Sequence, residues 1–70
     1  MDKEKIDNNF SYHAPKGNQQ DRYLTIRSEA KKLAYTFYNL CPVHSRETAL
    51  AFTKLEEAVM WANASIARNE

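Results

Sequence analysis

The sequence contains little cysteine, glycine or proline, and these shortages exclude several kinds of site. Its 70 residues include one cysteine, one glycine and two prolines. Because Cys41 has no second cysteine, it cannot form an intrachain disulfide or a Cys-x-x-Cys metal site. The single glycine, Gly17, leaves no glycine-rich loop that could hold a phosphate. We therefore expect no disulfide framework, no metal and no bound cofactor.

Long apolar runs and a strong excess of one charge are also missing. No stretch approaches the roughly 20 apolar residues of a membrane span, and residues 1–5 alternate in charge and lead into no apolar segment, unlike a secretory signal. The net charge of +1 provides no general attraction to nucleic acid polymers or to a membrane surface. With an unpaired cysteine, these features favour a cytoplasmic protein.

What the chain does have is the composition of a small globular domain. Hydrophobic residues make up 43% and charged residues 27% of it, which is too apolar for general disorder. A single domain of this size has a small core and is marginally stable alone. Such domains gain stability from disulfides, metals or self-association. Since the first two are not expected, the sequence predicts a homo-oligomer.

Proline and glycine divide the chain into an N-terminal arm and a helical hairpin. Residues 1–19 read as an arm, or a short helix around Lys3–Asn9, followed by an ordered loop that contains Pro15 and Gly17. Residues 20–70 read as the hairpin, and the whole chain as one domain. The hairpin consists of a helix over about 19–40, a turn at 41–45 around Pro42 and a helix over about 46–67. Because the turn is short, the two helices must lie antiparallel.

Heptad-like spacing supports both long helices. The first has apolar residues at Tyr23, Ile26, Ala30, Leu33, Phe37 and Leu40, and the second has a seam at Thr48, Phe52, Leu55, Val59, Ala62 and Ile66. Asn18 and Ser45 are suited to cap the two helices.

Apolar residues also lie outside these seams. Leu50, Met60 and Trp61 are the largest of them on the second helix, and one partner helix cannot cover them all. We interpret this surplus as a subunit interface. The alternative is a monomer with scattered exposed apolar side chains, which is common.

The sequence offers little that could support catalysis. Cys41 and His44 lie at a turn, separated by Pro42 and without a third group to orient them, so Cys41 is better read as a small turn residue. The adjacent Glu56 and Glu57 point about 100° apart on a helix and cannot form a facing pair, which favours a solvated surface. We therefore do not expect an enzyme.

A binding site is better supported. Tyr12 lies in an aromatic loop before the first helix, and Arg27 and Lys31 share one face of that helix. An aromatic ring that stacks on a base, near an arginine that binds phosphate, can hold a nucleotide. The alternative is that Tyr12 packs over the helix end as a plug while Arg27 is solvated or paired with a carboxylate.

Several segments resemble one known family. These are FSYHAP at 10–15, RYLTIR at 22–27 and AKKLA at 30–34, followed by SRETAL at 45–50 and KLEEAVMWA at 54–62. Together they resemble the phage anti-CBASS cyclic-nucleotide sponges, and the second helix is similar to the hairpin domain of the sponges that counter Thoeris defence. The resemblance covers about residues 10–68. The Thoeris-type relatives carry a further β-rich region for which this chain has no room.

The resemblance implies a protein that works in the cytoplasm of an infected bacterium. It would bind cyclic dinucleotides and cyclic trinucleotides without degrading them, and it would assemble as a hexamer with pockets between protomers. In this family Tyr12 would stack on a base of a dinucleotide and Arg27 would bind its phosphates. Arg68 would contribute to a separate trinucleotide site, with His13 and Lys31 as neighbouring ligand-binding residues.

Two alternatives follow from the residues alone. The apolar stripe could bind a protein partner without any small ligand. Basic residues of the first helix, including Arg22 and Lys32, could instead bind a nucleic acid, but the near-neutral total charge argues against this.

Overall fold

A computed structural model describes residues 2–70 of the chain as three helices joined by two loops. Helix α1 covers Lys3–Asn9, α2 covers Gln19–Leu40 and α3 covers Arg46–Asn69. Over that range 77% of the residues are helical, and none lies in a strand. The predicted all-α hairpin with a short N-terminal helix is therefore confirmed, although α3 runs two residues past its expected end near 67. No helix within residues 2–70 is both long and apolar enough to cross a membrane.

Side-chain caps begin α1 and α3. A carboxylate oxygen of Asp2 accepts a hydrogen bond from the backbone N–H of Lys5 at 2.8 Å. Ser45 Oγ accepts from the backbone N–H of Thr48 at 3.1 Å, as expected for the second long helix. Each bond satisfies an N–H that has no partner within the helix. These caps fix where the two helices begin.

The start of α2 differs from the expectation. Asn18 occupies the N-cap position, but its side chain accepts no capping bond, because its backbone (φ −92°, ψ 14°) is not in the extended conformation of a usual N-cap. Instead, the backbone N–H of Lys16 donates to Gln19 Oε1 at 3.2 Å and the backbone N–H of Gln19 donates to the Lys16 carbonyl at 3.1 Å. Gly17 makes this turn possible with a φ of +58°.

Two contacts define the antiparallel register of α2 and α3. The rings of Phe37 and Phe52 meet edge to face, with centroids 6.0 Å apart. At the other end, Gln19 Nε2 donates to a carboxylate oxygen of Glu70 at 3.4 Å. Gln19 precedes Phe37 by 18 residues, and Glu70 follows Phe52 by 18 residues. Because the two spacings are equal, the two helices stay in register along their length.

The seam of α2 drifts away from the predicted heptad. Leu33 and Leu40 are exposed, Leu40 by 79%, so their assignment to the seam is wrong. Ala34, which is not among the predicted seam residues, is half-buried instead. A straight helix has 3.6 residues per turn rather than 3.5 and therefore rotates by about 20° per heptad. The seam of α3 is buried or half-buried at all of its expected positions, 48, 52, 55, 59, 62 and 66.

The hairpin is one layer of helices with little interior. Its smallest dimension is 13 Å, close to the diameter of about 10–12 Å of a single helix. Within residues 2–70 no apolar side chain is fully buried; the two buried residues are Gln19 and Thr48. The chain exposes 5810 Å², whereas a compact monomer of 8.1 kDa exposes about 4,500 Å². The excess surpasses the area of about 800 Å² that one partner contributes to a standard interface.

Candidate functional site

Three open cavities follow one another along the hairpin. The central groove, of about 410 Å³, lies between Arg27 and Lys31 on α2 and Glu56 on α3. The aromatic groove, of about 270 Å³, adjoins it at Lys31 and is lined by Tyr35 and Tyr38. The arm groove, of about 400 Å³, is lined by Arg27 and by the loop after α1. Because neighbouring cavities share residues, they form one continuous trough.

The central groove has an apolar floor and charged walls. The floor consists of small and branched side chains with one aromatic ring: Ala30, Ala34, Phe52, Leu55 and Val59. Arg27 and Lys31 are four residues apart on α2, so they lie one turn from each other on the same wall. The volume falls within the range of about 300–1,000 Å³ that is typical of small-molecule sites. The groove can therefore hold a flat apolar ring next to an anionic group.

The arm groove is formed where the N-terminal arm contacts the end of α3. Asn8 Nδ2 donates to the backbone carbonyl of Arg68 at 3.2 Å, and His13 Nε2 donates to the carbonyl of Asn8 at 2.7 Å. These bonds place His13 and Arg68 beside Arg27. Asn63 also lines this groove, and its side-chain oxygen is shielded from solvent without a hydrogen-bond partner. Cationic, imidazole and amide groups thus converge on one open cavity.

The cations of the grooves form no ion pair with any of residues 2–70. Among residues 2–70 the ion pairs are Arg22–Glu70, Lys32–Glu29 and Lys54–Glu57. None of these includes Arg27, Lys31 or Arg68, so the alternative in which Arg27 pairs with a carboxylate is not supported. The three side chains keep their charge available for an anionic ligand.

Arg22, unlike the groove cations, is held in an ion pair with Glu70. Its Nη1 donates to Glu70 Oε2 at 2.9 Å, and its Nη2 donates to the second carboxylate oxygen. These hydrogen bonds lower the pKa of Glu70 and raise the pKa of Arg22. Arg22 therefore ties α2 to the end of α3, and this pairing is a further argument against a nucleic-acid surface that uses it.

Tyr12 does not join the other proposed site residues in the single chain. The residue is 87% exposed and lines none of the three grooves. The alternative in which Tyr12 plugs the end of the helix is therefore wrong. The structure brings His13, Arg27 and Arg68 together at the arm groove, and Arg27 and Lys31 at the central groove, whereas Tyr12 lines neither.

The comparison with known families agrees with this arrangement of helices. The Acb2/Tad1 hairpin-domain family matches residues 2–67. The chain belongs to the Acb2/Tad1 hairpin family. This is the family of anti-CBASS and Thoeris anti-defence sponges, whose role at the family level is to bind cyclic nucleotide signals. Searches among curated proteins and among solved structures found no match.

Two residues of this Acb2/Tad1 hairpin trough were missed by sequence reasoning. Glu56 was assigned with Glu57 to a solvated face, but only Glu57 has an ion-pair partner, Lys54 at 3.6 Å, and Glu56 lines the central groove. The signal was present, because position 56 follows Phe52 by four residues and so lies on the same helix face. Asn63 carried no such signal, since its shielding depends on how the arm folds back.

Proposed function

We propose that this member of the Acb2/Tad1 hairpin family captures cyclic dinucleotides and cyclic trinucleotides that serve as immune signals and does not degrade them. The observation that carries the proposal is a set of three cations, Arg27, Lys31 and Arg68, that have no ion-pair partner among residues 2–70 and lie around a trough with an apolar floor. Capture of this kind would act in the cytoplasm of the infected bacterial host.

The chemistry of the trough suits a cyclic oligonucleotide. Each phosphodiester carries one negative charge, and a guanidinium such as Arg27 can donate two parallel hydrogen bonds to it. A base can lie on the apolar floor formed by side chains such as Leu55 and Val59. His13 directs its Nε2–H to the carbonyl of Asn8, which gives the ring a positioning role. These groups favour holding a phosphodiester over cleaving it.

The site is completed by a second copy of the chain in this proposal. Tyr12 is exposed and lines none of the three grooves, so a second copy of the chain could bring its ring to a ligand held by Arg27. The excess exposed surface of the hairpin supports such an assembly, and a homohexamer is the form that the family resemblance implies. Tyr12 of one protomer would then stack on a base whose phosphate binds Arg27 of its neighbour.

Calorimetric titration with a cyclic dinucleotide tests the proposed site. We expect Tyr12→Ala and Arg27→Ala each to weaken binding by roughly 1–3 kcal/mol, from the loss of base stacking or of a charged hydrogen bond. Lys32→Ala is the matched control, because it removes a cation of the same helix that pairs with Glu29 at 3.2 Å and lines no groove described above. Unchanged affinity in both test variants would contradict the assignment.

Recovery of the ligand tests capture without degradation. After the complex is denatured by heat, chromatography should return the intact cyclic nucleotide in stoichiometric yield. Linear products would show instead that the protein hydrolyses its ligand.

The second candidate is a protein-interaction hairpin without a small ligand. It is favoured by the exposure of Leu50, Met60 and Trp61 on α3. Native mass spectrometry with a mixture of cyclic nucleotides separates the two, because it reports subunit number and bound species together. Oligomers that retain no nucleotide would favour this second candidate.

A further inference from the structure

We infer that Glu56 selects guanine among the bases of the captured cyclic nucleotide by accepting hydrogen bonds from the Watson–Crick edge of guanine. The inference rests on the proposed function and concerns the central groove. It assigns the base to the apolar floor, one phosphate to Arg27 and Lys31, and the edge of the base to Glu56.

The geometry of the central groove separates these roles. Arg27 and Lys31 stand on the α2 wall and Glu56 stands on the α3 wall, with the apolar floor between them. Packed helix axes lie about 8–10 Å apart, so a purine between the walls spans most of the gap. A ligand with its phosphate on the cationic wall therefore presents the far edge of its base to the carboxylate.

Glu56 is available for this role. It is exposed, and the ion pairs found within residues 2–70 do not include it. It faces Arg27 and Lys31 across the groove, and an ionised carboxylate can only accept hydrogen bonds. An acceptor beside an anionic ligand is unfavourable unless the ligand offers donors to it.

Guanine is the base whose edge meets this requirement. It presents two adjacent donors, N1–H and the exocyclic N2 amine, which match the two oxygens of a carboxylate. Adenine and cytosine each place one amine next to a ring nitrogen that is an acceptor, and uracil flanks its single N–H with two carbonyls. A carboxylate facing those edges meets at least one repulsive lone pair, so Glu56 disfavours them.

Calorimetric titration with cyclic GMP–AMP and cyclic di-AMP tests the inference, because these probes differ in a single base. We expect the wild-type protein to prefer cyclic GMP–AMP. Glu56→Gln should weaken binding of cyclic GMP–AMP about ten- to a hundredfold, as expected for the loss of a charge-assisted hydrogen bond. Its affinity for cyclic di-AMP should stay the same or rise. Glu57→Gln is the matched control, since it removes the same charge one position away.

The outcomes distinguish this inference from the proposed function. If all three proteins bind both probes and prefer cyclic GMP–AMP over cyclic di-AMP to the same extent, the role of Glu56 is overturned. Nucleotide capture itself is then still supported. Failure of the wild-type protein to bind either probe overturns both. Equal helix content and equal oligomer mass of the three proteins, measured by circular dichroism and native mass spectrometry, establish that the comparison reports on binding.

Discussion

Trp61 provides the sharpest test of whether copies of this chain cover one another. It lies on α3 outside the seam, and the residue is 60% exposed in the single chain. A large indole with that much free surface is costly in water, and the hairpin has no further layer to cover it. We predict that Trp61 is buried between subunits and that Trp61→Ala weakens their association.

The magnitude follows from the area that remains to be buried. A tryptophan buries about 150–250 Å² when fully covered, and the exposed fraction leaves about 90–150 Å² of it for an interface. At about 25 cal/mol per Å² the lost burial corresponds to about 2–4 kcal/mol for each subunit. The dissociation constant of the affected contact should rise by about 30-fold to 1,000-fold.

The assay uses the fact that Trp61 is the single tryptophan of the chain. Its fluorescence maximum should be blue-shifted in concentrated protein and should move to the red on dilution, in step with dissociation measured by sedimentation velocity. Trp61→Phe, which keeps most of the apolar area, should assemble nearly as well as the wild type, whereas Trp61→Ala should dissociate at higher concentration. The reasoning would be refuted if the wild-type protein emitted like a fully hydrated indole at every concentration and all three proteins had the same oligomer mass.

Three further predictions concern the stability of the hairpin. Ser45→Ala should lower the free energy of unfolding by about 1 kcal/mol because it removes the cap of α3, while Asn18→Ala should change it little; urea denaturation measures both, and equal losses would contradict the assignment of caps. Glu70, whose pKa is lowered by its hydrogen bonds to Arg22, should stabilise the fold fully above the ordinary carboxyl pKa of 4.5 and progressively less as the pH falls through its lowered value. Glu70→Gln should remove that part of the pH dependence in thermal unfolding, and an identical profile would count against it. Phe52→Ala should lower the free energy of unfolding, measured by calorimetry. A fully packed phenylalanine would cost about 3–5 kcal/mol, and the half-buried Phe52 should cost less in proportion to its exposure.

The hairpin itself could be predicted because local signals specify it. Pro42 ends the first long helix, Ser45 begins the next, and apolar spacing marks the faces that meet. None of this requires knowledge of distant contacts. The strict heptad was the part of the prediction that failed, because packing in a two-helix layer does not force a helix to supercoil. The seam therefore passes from Leu33 to Ala34, and Leu40 lies outside it.

The candidate site was predicted only in part because it depends on how distant segments meet. Arg27 and Lys31 could be paired from their spacing on one helix. The contact of Asn8 with the carbonyl of Arg68 joins residues 60 positions apart, and nothing in either local sequence signals it. The exposure of Tyr12 outside the grooves likewise follows from the path of the arm, which propensity and periodicity do not determine.

If copies of this chain assemble as proposed, the thinness of the hairpin links the folding of the protein to its concentration. In the proposed assembly a chain one helix thick gains its apolar cover from its neighbours, so dilution would remove structure and binding sites together. A protein that captures a messenger without degrading it, as we propose for this chain, must in any case be produced in large amounts. The concentration of protein that is needed to bind the signal would then also be the concentration at which the chain is stable. No separate mechanism would be required to keep the protein inactive at low concentration.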